Sequence, residues 1–168
     1  MKEGHACILE EVLENHHVIK AFHPSSLNTV RMVTCIDNNG KFHIVVSLIR
    51  IGSGEAVIDN VKGGGMMCSI YPDNGIICSD AYDMSGHRYK SHPDSGILFV
   101  GTQIPRWNEV LEYVEKLARH VPDARYVGWD IVITEAGIDV LEGNIPPDEN
   151  ITQIARGEGV WNEMQSYV

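Results

Sequence analysis

Basic side chains are scarce in this chain of 168 residues, which has 13 Lys and Arg against 23 Asp and Glu and a formal net charge of −10 at pH 7. Nonspecific binding to nucleic acid or to an anionic membrane needs a basic surface, so neither partner is expected. No apolar run approaches the length that crosses a bilayer, and the N-terminus does not read as a signal peptide. A cytoplasmic location is the simplest expectation.

Cysteine is also scarce, and the four cysteines do not have the spacing of a zinc finger. Cys7, Cys35, Cys68 and Cys78 all fall inside apolar segments, so we expect reduced thiols in the core. The apolar fraction of 43% and the charged fraction of 21% are ordinary for a globular protein. The length predicts a single domain with a substantial core.

Residues 126–147 carry the most informative pattern, in which two β-branched, apolar-rich runs flank a short Glu-Ala-Gly connector. The pattern predicts a β-hairpin. With a three-residue loop, Thr134 would pair with Ile138. In the same register, Asp130 would lie directly opposite Glu142.

Side chains alternate along a strand, so this register divides the hairpin into two faces. The face of Asp130 is predicted to hold Gly128, Val132, Thr134, Ile138, Val140, Glu142 and Asn144. The other face is predicted to hold Trp129, Ile131, Ile133 and Leu141. Because like charges opposed on a ladder repel, something positive should lie between Asp130 and Glu142.

Oxygen atoms from Asp130, Glu142 and Asn144 are suitable ligands for a hard cation. Mg²⁺ usually takes one or two protein carboxylates and fills its other positions with water and phosphate oxygens. The alternative is a solvated hairpin end whose acids bond to nearby Arg or backbone. A hydrolase that uses the two carboxylates is a third interpretation, weakened by their predicted closeness and by Asn144, which is more natural as a ligand.

Two arginines interrupt a second hairpin, predicted over residues 28–37 and 41–51. Arg31 and Arg50 lie in or at the end of otherwise hydrophobic strands, where an arginine needs a partner. An acid such as Asp37 is one candidate partner. Strict alternation along the second strand predicts one shared face for Phe42, Ile44, Val46 and Leu48.

Helices are predicted over 105–121, where apolar residues recur at helical spacing, and over 148–155. A shorter helix is predicted over 15–22. His16 and His17 are adjacent in it, and adjacent helical residues do not face one way. A metal shared by these two histidines is therefore not expected.

Several short motifs follow one another in a recognisable order. Asp130, then Glu142 and Asn144 on the next strand, then proline, resembles the metal-binding hairpin of the ATP-grasp superfamily. The wider pattern resembles the sugar-transfer associated branch of that superfamily. Its motifs are Ser26 to Arg31, Leu48 to Gly52, Asp59 and Asn60, Gly63 to Gly65, His92 and Pro93, Gly128 to Asp130, and Glu142 to Asn144.

The resemblance implies an α+β fold in which helices pack on an antiparallel β-sheet, equivalent to the C-terminal half of an ATP-grasp fold. It implies an ATP-dependent and Mg²⁺-dependent carboxylate–amine ligase that acts through an acyl-phosphate on small-molecule substrates. The branch suggests cell-surface polysaccharide biosynthesis. ATP-grasp proteins also carry an earlier half that clamps the phosphates, and we expect that half to lie outside this chain or in a partner chain.

The resemblance also implies roles for particular residues. The metal ligands would be Asp130, Glu142 and Asn144. The catalytic residues Arg31 and Arg50 would meet the terminal phosphate of ATP together with Asn28. Glu10 and Glu11 are candidates for contact with the nucleotide. His92 would lie near the carboxylate substrate, unless it is an exposed histidine of a loop.

An alternative function comes from the same resemblance. A single half of the fold would bind metal or nucleotide, or would dock to a partner, without catalysis. The glycine-rich residues 52–65 fit either a loop that closes over substrate or a mobile linker.

Overall fold

The computed structural model describes residues 11–55, 64–157 and 159–167. The strands are β1 (Thr29–Ile36), β2 (Phe42–Ile51), β3 (Met66–Ser69), β4 (Ala81–Tyr82), β5 (Arg88–Tyr89), β6 (Tyr126–Ile133) and β7 (Ile138–Asn144). The helices are α1 (His17–Lys20), α2 (Trp107–His120), α3 (Glu149–Arg156) and α4 (Trp161–Met164). All strands join one antiparallel sheet in the order β5-β4-β3-β2-β1-β6-β7. The predicted α+β class is confirmed.

One face of the sheet packs against α1 and α2. The apolar residues of α2 recur at helical spacing and are buried, as predicted for 105–121. They are Trp107, Val110, Val114 and Ala118. They join a large core with alternate residues of β1 and β6, including Val30, Met32, Ile131 and Ile133.

The second face of the sheet is apolar at one end only. There a smaller core forms under α3 and α4, from Val33, Cys35, Val45, Val46, Leu48, Met67, Ile151 and Val160. The side chain of Asp148 caps α3 by accepting a hydrogen bond from the backbone N–H of Asn150, at 3.0 Å. The other end of this face carries Arg31 and Asp130, which places the charged residues beside the smaller core.

A β-bulge in β2 changes the predicted faces of that strand. Val33 pairs with Val46 and Thr34 pairs with Ile44, so Val45 is an extra residue. Phe42 and Ile44 therefore pack in the large core. Val46 and Leu48 pack in the smaller one. The predicted shared face of Phe42, Ile44, Val46 and Leu48 is wrong, because a bulge reverses the alternation of side chains.

The cysteines that the structure describes are free thiols, and Cys35 and Cys68 are buried. Burial raises the pKa of the Cys35, Cys68 and Cys78 thiols. None of the helices in the described ranges is long and apolar enough to cross a membrane.

The large core generates a stability prediction. Ile131 lies on the interior strand β6 and is 0% exposed, so Ile131→Ala should lower the free energy of unfolding by about 2–5 kcal/mol. Leu98 is 66% exposed, and Leu98→Ala should change it by less than about 0.5 kcal/mol. Urea unfolding measures both, and similar losses in the two variants would contradict this account of the core.

Candidate active site

The β6–β7 hairpin places Asp130 directly opposite Glu142, as predicted. Asn144 lies two residues further along β7, and its side-chain Nδ2 donates a hydrogen bond to Glu142 Oε1 at 3.0 Å. Glu142 is exposed, Asn144 is half-buried, and Asp130 is buried. The three oxygen-bearing side chains thus lie at one end of the hairpin, at different depths.

The register arises differently from the prediction. Ile133, rather than Thr134, pairs with Ile138, so the turn is one residue longer than expected. A bulge at Leu141 then shifts the ladder by one residue before Asp130 is reached. Because of this bulge, Ile138 and Val140 pack against the large core. Their predicted place on the face of Asp130 is wrong.

The positive charge expected beside Asp130 comes from the predicted arginines. Arg31 lies opposite Asp130 on β1, and its guanidinium makes a bidentate contact: Nε donates to Oδ1 and Nη2 donates to Oδ2, the latter at 2.8 Å. Arg50 Nη2 lies 3.1 Å from Asp130 Oδ2. The partner of Arg31 is therefore Asp130 and not Asp37, whose carboxylate instead contacts His43.

Burial makes this cluster energetically demanding. The side chains of Arg31 and Asp130 are 5% and 2% exposed, and removing such charges from water costs several kcal/mol per ion. Bidentate geometry and further hydrogen bonds offset that cost. Arg50 is additionally held by Thr29, whose Oγ1 accepts hydrogen bonds from its Nε at 3.0 Å and its Nη2 at 2.8 Å.

A cleft of about 1090 Å³ opens beside this cluster. Arg50, Asp130 and Glu142 lie in its wall, together with Thr29. The rest of the wall comes from Glu11, Val12, Leu13, Glu14, Asn15, Lys20, Pro24, Ser25, Ser26, Leu27, Asp139, Val140 and Leu141. The charged end of the sheet is thereby accessible to a ligand.

Glu11, a predicted nucleotide contact, is exposed and lines this cleft. The other predicted contact, Glu10, lies outside the described residues.

Asn28 and His92 both hold Gly52, the first residue of the glycine-rich segment. Asn28 is 1% exposed, and its Oδ1 accepts hydrogen bonds from the Gly52 backbone N–H at 3.0 Å and from Ser26 Oγ at 2.6 Å. His92 is 0% exposed, and its Nε2 donates to the Gly52 carbonyl at 2.8 Å. The prediction of His92 as an exposed loop residue is therefore wrong. Sequence reasoning missed this anchor, since no local pattern links these residues.

Gly128 is required by a close approach of the chain. A Cβ on Gly128 would lie 2.9 Å from Pro147 Cβ and 3.5 Å from Arg31 Nη1. The first distance is shorter than real Cβ contacts allow. The glycine thus lets the segment after β7 pack beside the arginine cluster.

The donor set fits Mg²⁺. Glu142 and Asn144 offer oxygen atoms at the accessible end of the hairpin, and hard cations prefer such ligands. Asp130 Oδ2 contacts two guanidinium groups and Oδ1 contacts one nitrogen, so Oδ1 is the oxygen with spare lone-pair capacity.

The antiparallel sheet and its helices are consistent with an ATP-grasp-type domain. The chain matches the family model of sugar-transfer associated ATP-grasp over residues 1–167 and belongs to that family. No curated protein matches the chain, and no solved structure does. A general ATP-grasp role related to sugar transfer follows from this membership.

The buried ion pair generates a second prediction. Asp130→Asn keeps the side-chain shape but leaves Arg31 buried without a countercharge, which should lower the free energy of unfolding by about 3–5 kcal/mol. Glu115→Gln is the matched control, because it removes an exposed pair with Arg119 at 2.6 Å and should cost less than about 1 kcal/mol. Chemical denaturation at fixed ionic strength measures both. Equal losses of unfolding free energy in the two variants would show that the buried pair stabilises the fold no more than an exposed pair does.

Proposed function

We propose that the protein uses ATP and Mg²⁺ to join a small-molecule carboxylate to an amine, as a ligase in cell-surface polysaccharide biosynthesis. One observation carries the proposal: Arg50, Asp130 and Glu142 meet in the wall of one cleft. Membership of the sugar-transfer associated ATP-grasp family supports an ATP-dependent reaction. The carboxylate, the amine and the polysaccharide are parts of the proposal.

The cluster is neutral as a whole, so a bound Mg²⁺ would supply the positive charge that phosphate groups need. Arg31 and Arg50 carry two positive charges, and Asp130 and Glu142 carry two negative charges. In the proposal, Asp130, Glu142 and Asn144 would hold Mg²⁺, which would supply charge to offset that of the phosphate oxygens. The two arginines then add positive charge on the side of the transferred group.

The proposed reaction has two steps. An oxygen of the substrate carboxylate attacks the γ-phosphorus of ATP, the bond from that phosphorus to the bridging oxygen of ADP breaks, and an acyl-phosphate forms. The amine nitrogen then attacks the acyl carbon, inorganic phosphate leaves, and the amine proton passes to solvent. Arg50, whose side chain is 14% exposed, contacts the phosphoryl group from the cleft wall. Arg31 adds its charge from behind Asp130.

The remaining predicted residues have supporting roles in this proposal. Glu11 contacts the nucleotide from the cleft wall. Asn28 acts through Gly52, because its side chain anchors the start of the glycine-rich segment. A phosphate contact by Asn28 itself stays a prediction.

A binding experiment tests the nucleotide site. Glu142→Gln should weaken ATP binding about tenfold or more when Mg²⁺ is present, about 1.4 kcal/mol, because the variant loses a charged ligand. Without Mg²⁺ its affinity should match that of the unchanged protein. Glu112→Gln, at an exposed position of α2, should bind normally. Isothermal titration calorimetry measures each affinity.

Two results would contradict the proposal. One is the absence of ATP binding at millimolar concentration. The other is an Mg²⁺ effect that survives Glu142→Gln unchanged.

A second candidate function is binding of nucleotide or metal, or docking to a partner, without catalysis. The observation in its favour is that Asp130 already contacts both guanidiniums, which satisfies the buried charges without any ligand. ADP formation on addition of carboxylate and amine substrates separates the candidates. Mg-ATP binding without ADP formation, across a panel of such substrates, would favour the second.

A further inference from the structure

A separate cluster of ligand-type side chains lies at the turn of the β6–β7 hairpin. His17 Nδ1 lies 2.8 Å from Glu135 Oε1, and His16 Nε2 lies 3.5 Å from Glu135 Oε2. The ligating atoms of the three residues all lie within 4.8 Å of one another. Among the residues that the structure describes, no other group of three His, Cys, Asp or Glu side chains converges in this way.

The local backbone explains how two adjacent histidines reach one carboxylate. α1 begins at His17, and His16 is its N-cap, with φ −49° and ψ 140°. The rule that separates neighbours on a helix therefore does not apply to this pair. Their rings stack with centroids 4.3 Å apart and an interplanar angle of 29°. The geometric reason against a shared metal is thus wrong.

Hydrogen bonds that involve the backbone hold each of the three residues in place. The His16 N–H donates to the Ile133 carbonyl at 2.7 Å, and the His17 N–H donates to Glu135 Oε1 at 2.9 Å. Arg106 Nη1 donates to the Glu135 carbonyl at 3.0 Å. The cluster is therefore held at the junction of α1, the hairpin turn and the start of α2.

We propose that His16, His17 and Glu135 bind one divalent transition-metal ion of the Zn²⁺ type, with water completing the coordination. Two imidazoles and a carboxylate suit Zn²⁺ in preference to Mg²⁺, which favours oxygen ligands. Tetrahedral Zn²⁺ with bonds of about 2.0–2.1 Å places its ligand atoms about 3.3 Å apart. The 3.5 Å between His16 Nε2 and Glu135 Oε2 is already close to that separation.

The closer of the two measured pairs lies on exposed side chains. The distance from His17 Nδ1 to Glu135 Oε1 must widen by about half an ångström to reach the same separation. The two side chains are 75% and 63% exposed, so packing does not oppose the movement. The backbone N–H of His17, followed by its ring, lowers the pKa of Glu135.

Proton positions give the proposal a local signature. His16 Nδ1 accepts a long hydrogen bond from the Val18 N–H at 3.3 Å. A neutral imidazole that binds metal through Nε2 carries its proton on Nδ1. Metal binding should therefore break the contact with Val18 and change the amide resonance of that residue.

A metal ion at this site would link two parts of the chain that line the cleft. The segment of residues 11–15 lines the cleft and leads directly into His16. Glu135 lies in the turn of the hairpin that carries Glu142. A bound ion would hold this segment against the hairpin. The proposal does not depend on the proposed ligase activity.

Titration with ZnCl₂, followed by calorimetry and thermal unfolding, tests the site in the full chain. We expect one equivalent to bind and to raise the unfolding temperature, with reversal by EDTA. His17→Ala and Glu135→Gln should each weaken binding at least tenfold. Both change exposed side chains, so the variants should fold, and circular dichroism checks this.

His87→Ala is the matched control. His87 Nδ1 lies 2.9 Å from Asp83 Oδ2 in an exposed pair, which resembles the pair of His17 and Glu135 but has no second histidine in a converging group. This variant should bind Zn²⁺ normally. Glu142→Gln should also bind Zn²⁺ normally, and this separates the new site from the proposed Mg²⁺ site.

Several outcomes would overturn the proposal. They are the absence of Zn²⁺ binding, binding that His17→Ala and Glu135→Gln leave unchanged, and binding that Glu142→Gln removes. A ¹⁵N-labelled protein whose Val18 amide does not respond to one equivalent of Zn²⁺ would exclude coordination through His16 Nε2.

Discussion

The contact between Arg31 and Asp130 is the constraint on which the rest of the site depends. It joins two residues 99 positions apart, on the adjacent interior strands β1 and β6 of the sheet. Neither charge is tolerable alone at that depth, because an unpaired buried ion costs several kcal/mol. The pair therefore requires the observed alignment of the two strands. That alignment also brings Arg50 and Glu142 to the same end of the sheet.

The second face of the sheet is apolar at one end and charged at the other. Its apolar end packs under α3 and α4 and supplies a core, while its charged end stays uncovered by these helices and borders the cleft. Near the charged end, Asn28 and His92 hold Gly52 through buried hydrogen bonds, and Gly128 leaves room for Pro147. These contacts fix the backbone next to the charged cluster.

Two β-bulges mark the limit of prediction from periodicity. Alternation correctly predicted both hairpins, yet the extra residues Val45 and Leu141 reversed the faces of β2 and β7. In β7 the bulge also compensated for a turn one residue longer than predicted, so Asp130 met Glu142 by a different register. A bulge depends on how the strand packs against its neighbours on both faces, and that information is absent from a short window of sequence.

The sequence by itself determined the hairpins, α2, α3, the place of Asp130, Glu142 and Asn144 on one hairpin, and the family resemblance. All of these rest on the spacing of residues that are close along the chain. Only the tertiary structure decided that Arg31 binds Asp130, that His92 is buried, and that His17 contacts Glu135, which lies 118 residues away. Such contacts depend on which strands become neighbours, and that choice is made by the free energy of the whole packed sheet.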